Sequence, residues 1–453
     1  MKNPGRVLLP LAVLLELVAI TLVDRRLSAV AGGLFIVCFL SGLGRLQPYA
    51  RSLFLVSLAV LGWLGIDGTL SQQQLLKAAS DAAFYAAFLG SLGMMQCLVS
   101  RFEVLRRIHD VLLGGRALWL YPKYAVVSCG IASVLSFGMM NLLCGTLSDT
   151  LRERGITGHS RLQWLRSVLI SALRGFALVP LVAPTSVAVA ILTRELPQLS
   201  WVALLPFGAA AAVLLIGVGW VLEQRRFRAI STERVVLERW PAGTPVLLGL
   251  VLVVFSVMAA LVAVTELKVS VAAMLTVPAV TLLYIGWQEG SLKTVAAESS
   301  AQISGMNNEM AIFSASAILG VALSGLIPPD ALSGLVASAG GTLVLAAMGL
   351  LLMPLLSAMG IIPITVLSIQ AGLLPQLVAE GMDPMLISVA LVIGFSLAMM
   401  LSPFGPSVML LSRFGQVSKW VVAFRWNGVF VLVVVPLLLA LLGLWSVLLP
   451  ASG

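Results

Sequence analysis

The sequence predicts an all-α polytopic membrane protein: about eleven transmembrane helices plus two re-entrant hairpins in an inverted-topology repeat. Three observations predict it. First, 60% of the 453 residues are hydrophobic and 10% are charged, and mean hydropathy is +1.06. That balance lies outside soluble domains, and the apolar runs recur along the whole chain at the roughly 20 residues that a bilayer crossing needs. Second, Lys and Arg gather in short segments, residues 101–123, 152–166, 225–239 and 413–425, the pattern of cytoplasmic loops. Third, two apolar runs are interrupted by Pro beside Ser or Thr, in VAPTSVAVAIL (182–192) and LSPFGPSVMLL (401–411).

The first apolar run, residues 7–23, resembles a signal peptide, but Asp24, Arg25 and Arg26 come after it without a small-residue cleavage site, so it reads as a retained helix. Scaffold helices are expected over residues 1–51 and a first repeat over 52–222. Within that repeat, residues 124–147 separate two basic loops by one span's worth of chain. A full crossing would put one loop on the wrong face, so a hairpin entering from the cytoplasm is expected, turning at Ser136-Phe137-Gly138. A broken helix over about 168–193 comes next. A cytoplasmic linker is expected at 223–244 and a second repeat at 245–453. There, residues 301–412 contain no Lys or Arg, and the short loops carry Asp330, Glu380 and Asp383 instead, which suits the external side. Residues 343–376, interrupted at Ser357, Gly360, Pro363 and Thr365, read as a second hairpin entering from outside. A broken helix at about 385–412 and a final helix at about 427–449 complete the chain. The N-terminus is then cytoplasmic and Gly453 external, as expected of a bacterial inner-membrane protein.

Hairpin and then broken helix thus occurs twice with opposite orientation. Paired broken helices at corresponding positions point to a transporter's binding site, because unwound backbone is tolerated in the bilayer only where protein or a water cavity lines it.

At these residues the chain resembles the divalent anion/sodium symporter family of the wider ion-transporter superfamily. SLAMMLSPFGPSV (396–408) stands where the family has its second unwound helix, and VAPTS resembles its first. The resemblance implies a scaffold domain, two opposed hairpins and elevator-type movement. The family's Ser-Asn-Thr hairpin tips are replaced by SFGMMN (136–141) and SAMGIIPIT (357–365).

The substrate- or ion-binding candidates are Ser136, Gly138 and Asn141 at the first tip, and Pro184, Thr185 and Ser186 at the first break. At the second tip they are Ser357, Gly360, Pro363 and Thr365, and at the second break Ser402, Pro403, Gly405, Pro406 and Ser407. Helix N-termini present free N–H groups and a positive dipole end to anions, and the opposite ends present carbonyls to a cation. A hydroxyl bonded to its own helix is the plain alternative for each. Charges inside spans are expensive and mark function or pairing. Glu309, at the start of a span, is a candidate for a coupling proton, with ordinary helix-start electrostatics as the plain alternative; Glu16 is expected to pair across helices or contact a partner, Asp81 to be interfacial, and Arg174 to snorkel to the cytoplasmic face rather than counter an anion.

Other classes are excluded on the same residues. Cys38, Cys97, Cys129 and Cys144 form no CxxC pair, His109 and His159 lie in basic segments, and no GxxxxGK[ST] motif occurs, so no metal centre, nucleotide-driven pump or enzyme is expected. The net charge of +9 sits in loops that set orientation, which removes nucleic acid as a partner. Expected partners are a small anionic solute, membrane lipid and a second copy of the chain in a homodimer, with sodium or a proton as coupling ion and no other cofactor. The function expected is secondary transport of a small organic anion, a carboxylate above all. The large membrane subunit of a tripartite carboxylate transporter is the alternative within transport; a membrane-embedded enzyme or assembly scaffold is the alternative outside it.

Overall fold

The computed structural model describes residues 5–99, 101, 112, 116–135, 138–153, 155, 158–230, 244–328, 333–336, 338 and 340–448. The helices in chain order are α1 (Gly5–Thr21), α2 (Arg25–Ser41), α3 (Pro48–Ile66), α4 (Gln72–Gly93), α5 (Met95–Val99), α6 (Leu120–Leu135), α7 (Gly138–Glu153), α8 (Gly158–Ala177), α9 (Val179–Val182), α10 (Val187–Glu195) and α11 (Trp201–Ile230). The second half has α12 (Thr244–Thr265), α13 (Val269–Glu289), α14 (Leu292–Gly305), α15 (Asn307–Ser324), α16 (Ser333–Val336), α17 (Gly341–Ala358), α18 (Pro363–Ala379), α19 (Met385–Leu401), α20 (Pro406–Gly415) and α21 (Gly428–Leu448). A π-helical segment, Val421–Trp426, precedes α21.

The protein is an all-α polytopic membrane protein. Nine helical runs among the described residues are long and apolar enough to cross a bilayer, and α14–α15, bent by 56°, makes a tenth. The eleven crossings expected do not map onto these one to one. Helix α17 passes by length but lies in the segment expected as the second hairpin, whereas α1 and α2, at 17 residues each, fall just short.

Local sequence sets the boundaries. Asp24 caps α2 by accepting from the N–H groups of Arg26 and Leu27 at 2.8 and 3.2 Å. Ser71 and Gln74 form a reciprocal capping box on α4, satisfying two amides that a helix start leaves orphaned. Small residues permit close crossings: a Cβ on Gly32 would lie 2.0 Å from the carbonyl oxygen of Ala79, and one on Gly208 1.9 Å from that of Leu181. Helix contact through small residues is the packing mode available in lipid.

The interrupted helices form the centre. Of an apolar 18-residue stretch in each run, 94% is buried within α4–α5, 89% within α8–α10 and 83% within α19–α20, against 11% within α12 and 28% within α21. The last two are clad in exposed Leu and Val, a lipid-facing surface.

Each segment expected as a hairpin holds two helices that run beyond the expected bounds. The first, expected at 124–147, holds α6 and α7; the second, expected at 343–376, holds α17 and α18. The broken helices also extend beyond 168–193 and 385–412, to residues 158–195 and 385–415. The basic loop at 152–166 is therefore largely helical, because its apolar residues share the helical period of the span that begins at about 168.

One charged residue departs from expectation, and a second is paired inside the protein. Arg174 does not snorkel. It is 3% exposed, lies 3.4 Å from Glu223 on α11, stacks 4.1 Å from the Phe430 ring centroid and donates to the Trp426 carbonyl at 3.2 Å. It thereby satisfies a carbonyl at the end of the π-helical segment, where regular pairing fails. Asp81, expected to be interfacial, is 3% exposed and paired with Arg194 at 3.0 Å.

Candidate functional site

Prolines and short polar residues break two helices. Between α9 and α10 the chain unwinds over Ala183, Pro184, Thr185 and Ser186; between α19 and α20 it unwinds over Ser402, Pro403, Phe404 and Gly405. Pro184 and Pro403 have no N–H to continue a ladder, and Pro406 takes the first position of α20, where its missing N–H is harmless. Each second segment therefore begins with amides that lack intrahelical acceptors, at residues 187–189 and 407–408.

Side chains at the breaks are also unsatisfied. Ser186 is 2% exposed and Ser402 0%, and neither hydroxyl has a hydrogen-bond partner, nor does that of buried Ser357 at the end of α17. Buried polar groups are nearly always bonded, so these three hydroxyls are exceptions, and Ser186 lines a cavity. Thr185 is different. Its hydroxyl donates to the carbonyl of Ser133, tying the first break to the first hairpin.

Two cavities adjoin the breaks. The smaller, about 70 Å³, is lined by Thr185, Ser186, Val187, Pro363, Gly405, Pro406, Ser407 and Glu309, with Phe176, Phe313, Phe395, Ile312, Ile364 and Met399 as apolar walls. The larger, about 440 Å³, shares Glu309, Ile312, Ile362, Pro406 and Ser407 and adds Gln47, Tyr49, Gln96, Met140, Gln302, Asn308 and Arg413. Glu309, in the first turn of α15, therefore borders both, and its Oε2 is buried without a hydrogen-bond partner.

Among the expected residues, the fold brings Thr185, Ser186, Pro363, Gly405, Pro406, Ser407 and Glu309 to one place. Pro184, Ser357, Gly360, Thr365, Ser402 and Pro403 lie outside the linings of these two cavities. Thr365 turns away: its hydroxyl is 2.8 Å from that of Ser316 on α15. At the first tip, Ser136 lies outside the described residues, whereas Gly138 and Asn141 belong to the first turn of α7. His109 lies outside the described residues as well, and His159 is in α8.

The second tip is held by an aromatic latch. Tyr49 Oη donates to the Gly360 carbonyl at 3.4 Å and accepts from the Ile362 N–H at 3.3 Å. Its ring stacks on Phe404 of the second break, centroids 6.2 Å apart, and the Lys419 ammonium lies 3.5 Å from the Phe404 centroid. Gly360 has φ +115, and a Cβ there would meet the Phe404 ring at 3.2 Å. Gly360→Ala is expected to destabilise the protein by about 1–3 kcal/mol, read as a lowered melting temperature of the purified protein; an unchanged melting temperature would show that the tip relaxes freely.

The sequence reading missed several lining residues. Both helices that precede a hairpin break at a Gly–Met step, Gly93-Met94 and Gly305-Met306, and the breaks touch: Gln302 Nε2 donates to the Gly93 carbonyl at 3.2 Å and to Gln96 Oε1 at 3.1 Å. Asn308 Oδ1 accepts from the Gln47 N–H at 2.7 Å. The polar run Ser304-Gly305-Met306-Asn307-Asn308-Glu309 inside an otherwise apolar half was the available signal.

No known protein family matches the chain, and no curated protein matches it. Solved structures do. A transporter of Alcanivorax borkumensis, YdaH, whose crystal structure is described as having an unusual topology, aligns with a TM-score of 0.58 and 14% identity over 84% of this chain and 89% of that one. At that identity the likeness shows a shared fold. The resemblance to the divalent anion/sodium symporters remains one of layout and of two short stretches, and what the comparisons establish is that this chain has a membrane-protein fold also found in a solved transporter.

Proposed function

We propose that the protein is a secondary transporter of a small organic anion, a carboxylate above all, working by an elevator-type movement coupled to a proton or sodium gradient. The observation that carries the proposal is the convergence of both helix breaks, the start of α18 and Glu309 on adjoining cavities. Amide-bearing first turns of α10 and α20 favour an anionic group, and Arg413 adds a positive side chain to the larger cavity. The Phe, Ile and Met walls of the smaller cavity suit a solute with an apolar body. The shared fold with a solved transporter supports transport as the class.

Coupling is assigned to Glu309, a carboxyl bordering both cavities whose buried Oε2 lacks a partner. Hydroxyls and carbonyls at the breaks are the groups available for sodium in its place. In this reading the larger cavity opens on the cytoplasmic side, with a cytoplasmic N-terminus and an external Gly453. A C-terminal reporter active only outside the cytoplasm is expected, and one active only in the cytoplasm contradicts this topology. The large subunit of a tripartite carboxylate transporter would share this site. Uptake by the chain alone in proteoliposomes separates the two, since the tripartite system requires its binding protein. The functional test is accumulation of radiolabelled carboxylates in proteoliposomes under imposed gradients.

A further inference from the structure

An ionic chain lies apart from the cavities, where α1, α2, α4 and the end of α10 meet. Lys77 Nζ bonds both oxygens of Glu195 at 2.9 and 2.6 Å and lies 3.4 Å from Asp81 Oδ2. Arg194 Nε donates to Asp81 Oδ1 at 3.0 Å and its Nη2 to Ser80 Oγ at 2.7 Å. The hydroxyls of Ser80 and Ser28 are 2.9 Å apart, and Ser28 Oγ donates to Glu16 Oε1 at 2.9 Å.

The charges do not balance. Three carboxylates meet two cations, and two of the three are matched: Glu195 by Lys77 and Asp81 by Arg194. Glu16 is left over. It is 0% exposed, its Oε1 has only a hydroxyl partner, and its Oε2 has no hydrogen-bond partner. An ionised carboxylate without a counter-charge is not stable in such surroundings, so the group is neutralised instead. A proton does this, and among the described residues no group of three or more metal-ligating side chains surrounds it.

We propose that Glu16 is a proton-binding site whose proton is held or released according to the position of Arg194. Release is simple acid dissociation: the O–H bond breaks, its electron pair stays on the carboxylate, and the proton passes to water entering at the Lys77 and Arg194 end, where those side chains are 31% and 29% exposed. Arg194 belongs to α10, the segment after the first helix break, and Glu16 to α1, so a displacement of α10 changes the cation nearest to Glu16. By linkage, the proton then biases the position of α10 by an equal amount. The site is separate from Glu309 and does not depend on which solute is carried.

Other charged groups on the helices packed against α1 are engaged or exposed. On α2, Arg25 and Arg26 lie in the exposed first turn. On α13 and α14, Glu289 and Glu298 pair with Arg101 at 2.8 and 2.9 Å, and Lys293 is exposed. Asp81 and Lys77 on α4, with Arg194 and Glu195 beyond, are the groups that set the balance at Glu16.

The test is infrared difference spectroscopy on the purified full-length protein in lipid nanodiscs, stepping the pH and following the carboxylic-acid C=O band. A titrating band is expected that disappears in Glu16→Gln and persists in Glu309→Gln. In Arg194→Gln the pH at which it titrates should rise by about one unit or more, because ionised Glu16 loses its nearest cation. Ser28→Ala, which removes the hydroxyl donor to Oε1, should shift it in the same direction and guards against a misfolded Arg194 variant. Spectra unchanged in Glu16→Gln, or a wild-type midpoint in folded Ser28→Ala, would overturn the proposal. So would a midpoint that moves when sodium replaces potassium at fixed ionic strength, since that outcome assigns the site to a metal ion.

Discussion

Replacing Pro403, Gly405 and Pro406 together by alanine is expected to lower uptake per inserted protein by at least an order of magnitude. The chain between α19 and α20 is unwound at Ser402, Pro403, Phe404 and Gly405, and the three substitutions remove every helix breaker in it. Each proline costs a helix interior about 3 kcal/mol and glycine about 1 kcal/mol relative to alanine, so the variant favours one continuous helix. Rewinding would pair the amides at the start of α20 within the helix and carry Ser407 away from the cavities it lines. The segment is buried among other helices, so insertion should survive while function does not. Ser407→Ala removes one hydroxyl, worth about 0.5–1.5 kcal/mol, and should raise the half-saturating solute concentration with little change in maximal rate. A simple kink predicts near-wild-type uptake in both variants, and uptake normalised to reconstituted protein decides between them.

Glu309→Gln is expected to abolish accumulation driven by a proton gradient while leaving solute exchange at equal concentrations on both sides. Glutamine matches the shape of the protonated acid but has no proton to give up. The wild-type carboxyl borders both cavities with an unpartnered Oε2, so that oxygen is free to respond to the occupancy of the site. A loss of about tenfold or more in concentrative uptake, with exchange retained, is the predicted pattern. Equal loss of both activities would make Glu309 a solute ligand only, and full retention of accumulation under a sodium gradient would move the coupling to the hydroxyls and carbonyls at the breaks.

Local rules located the breaks, and long-range pairing hid the rest. Pro403 and Pro184 act on their own backbone within a turn, so their effect is visible from the residues alone. The expectation of a first hairpin rests on charge arithmetic, because residues 124–147 are too short for two crossings and flanked by basic segments on both sides. Thr365 shows the limit of that reasoning. It lies two residues after Pro363, about 200° around α18, so the helix that presents Pro363 to the cavity turns Thr365 towards Ser316. Arg174 looked like a snorkelling residue because its partner Glu223 is 49 positions away, and only packing of α8 on α11 brings them together. Likewise Lys77 and Glu195 are 118 residues apart, so neither the pairing of Asp81 with Arg194 nor the unmatched charge of Glu16 has a signature in sequence spacing. Gln47, Gln302 and Arg413 reach the larger cavity from three separate parts of the chain, each in a stretch that reads by itself as an ordinary helix end.

The claim that the two helix breaks form the working site of an organic-anion transporter is tested most directly by accumulation in proteoliposomes containing this chain alone. Radiolabelled mono- and dicarboxylates would be offered under an imposed proton gradient, a sodium gradient and neither, with the Pro403, Gly405 and Pro406 triple-alanine variant alongside. The account predicts that at least one carboxylate accumulates above its external concentration under one gradient, collapses when the gradient is discharged, and fails to accumulate in the variant. Accumulation equal in wild type and variant, or none with any carboxylate under either gradient, would contradict it.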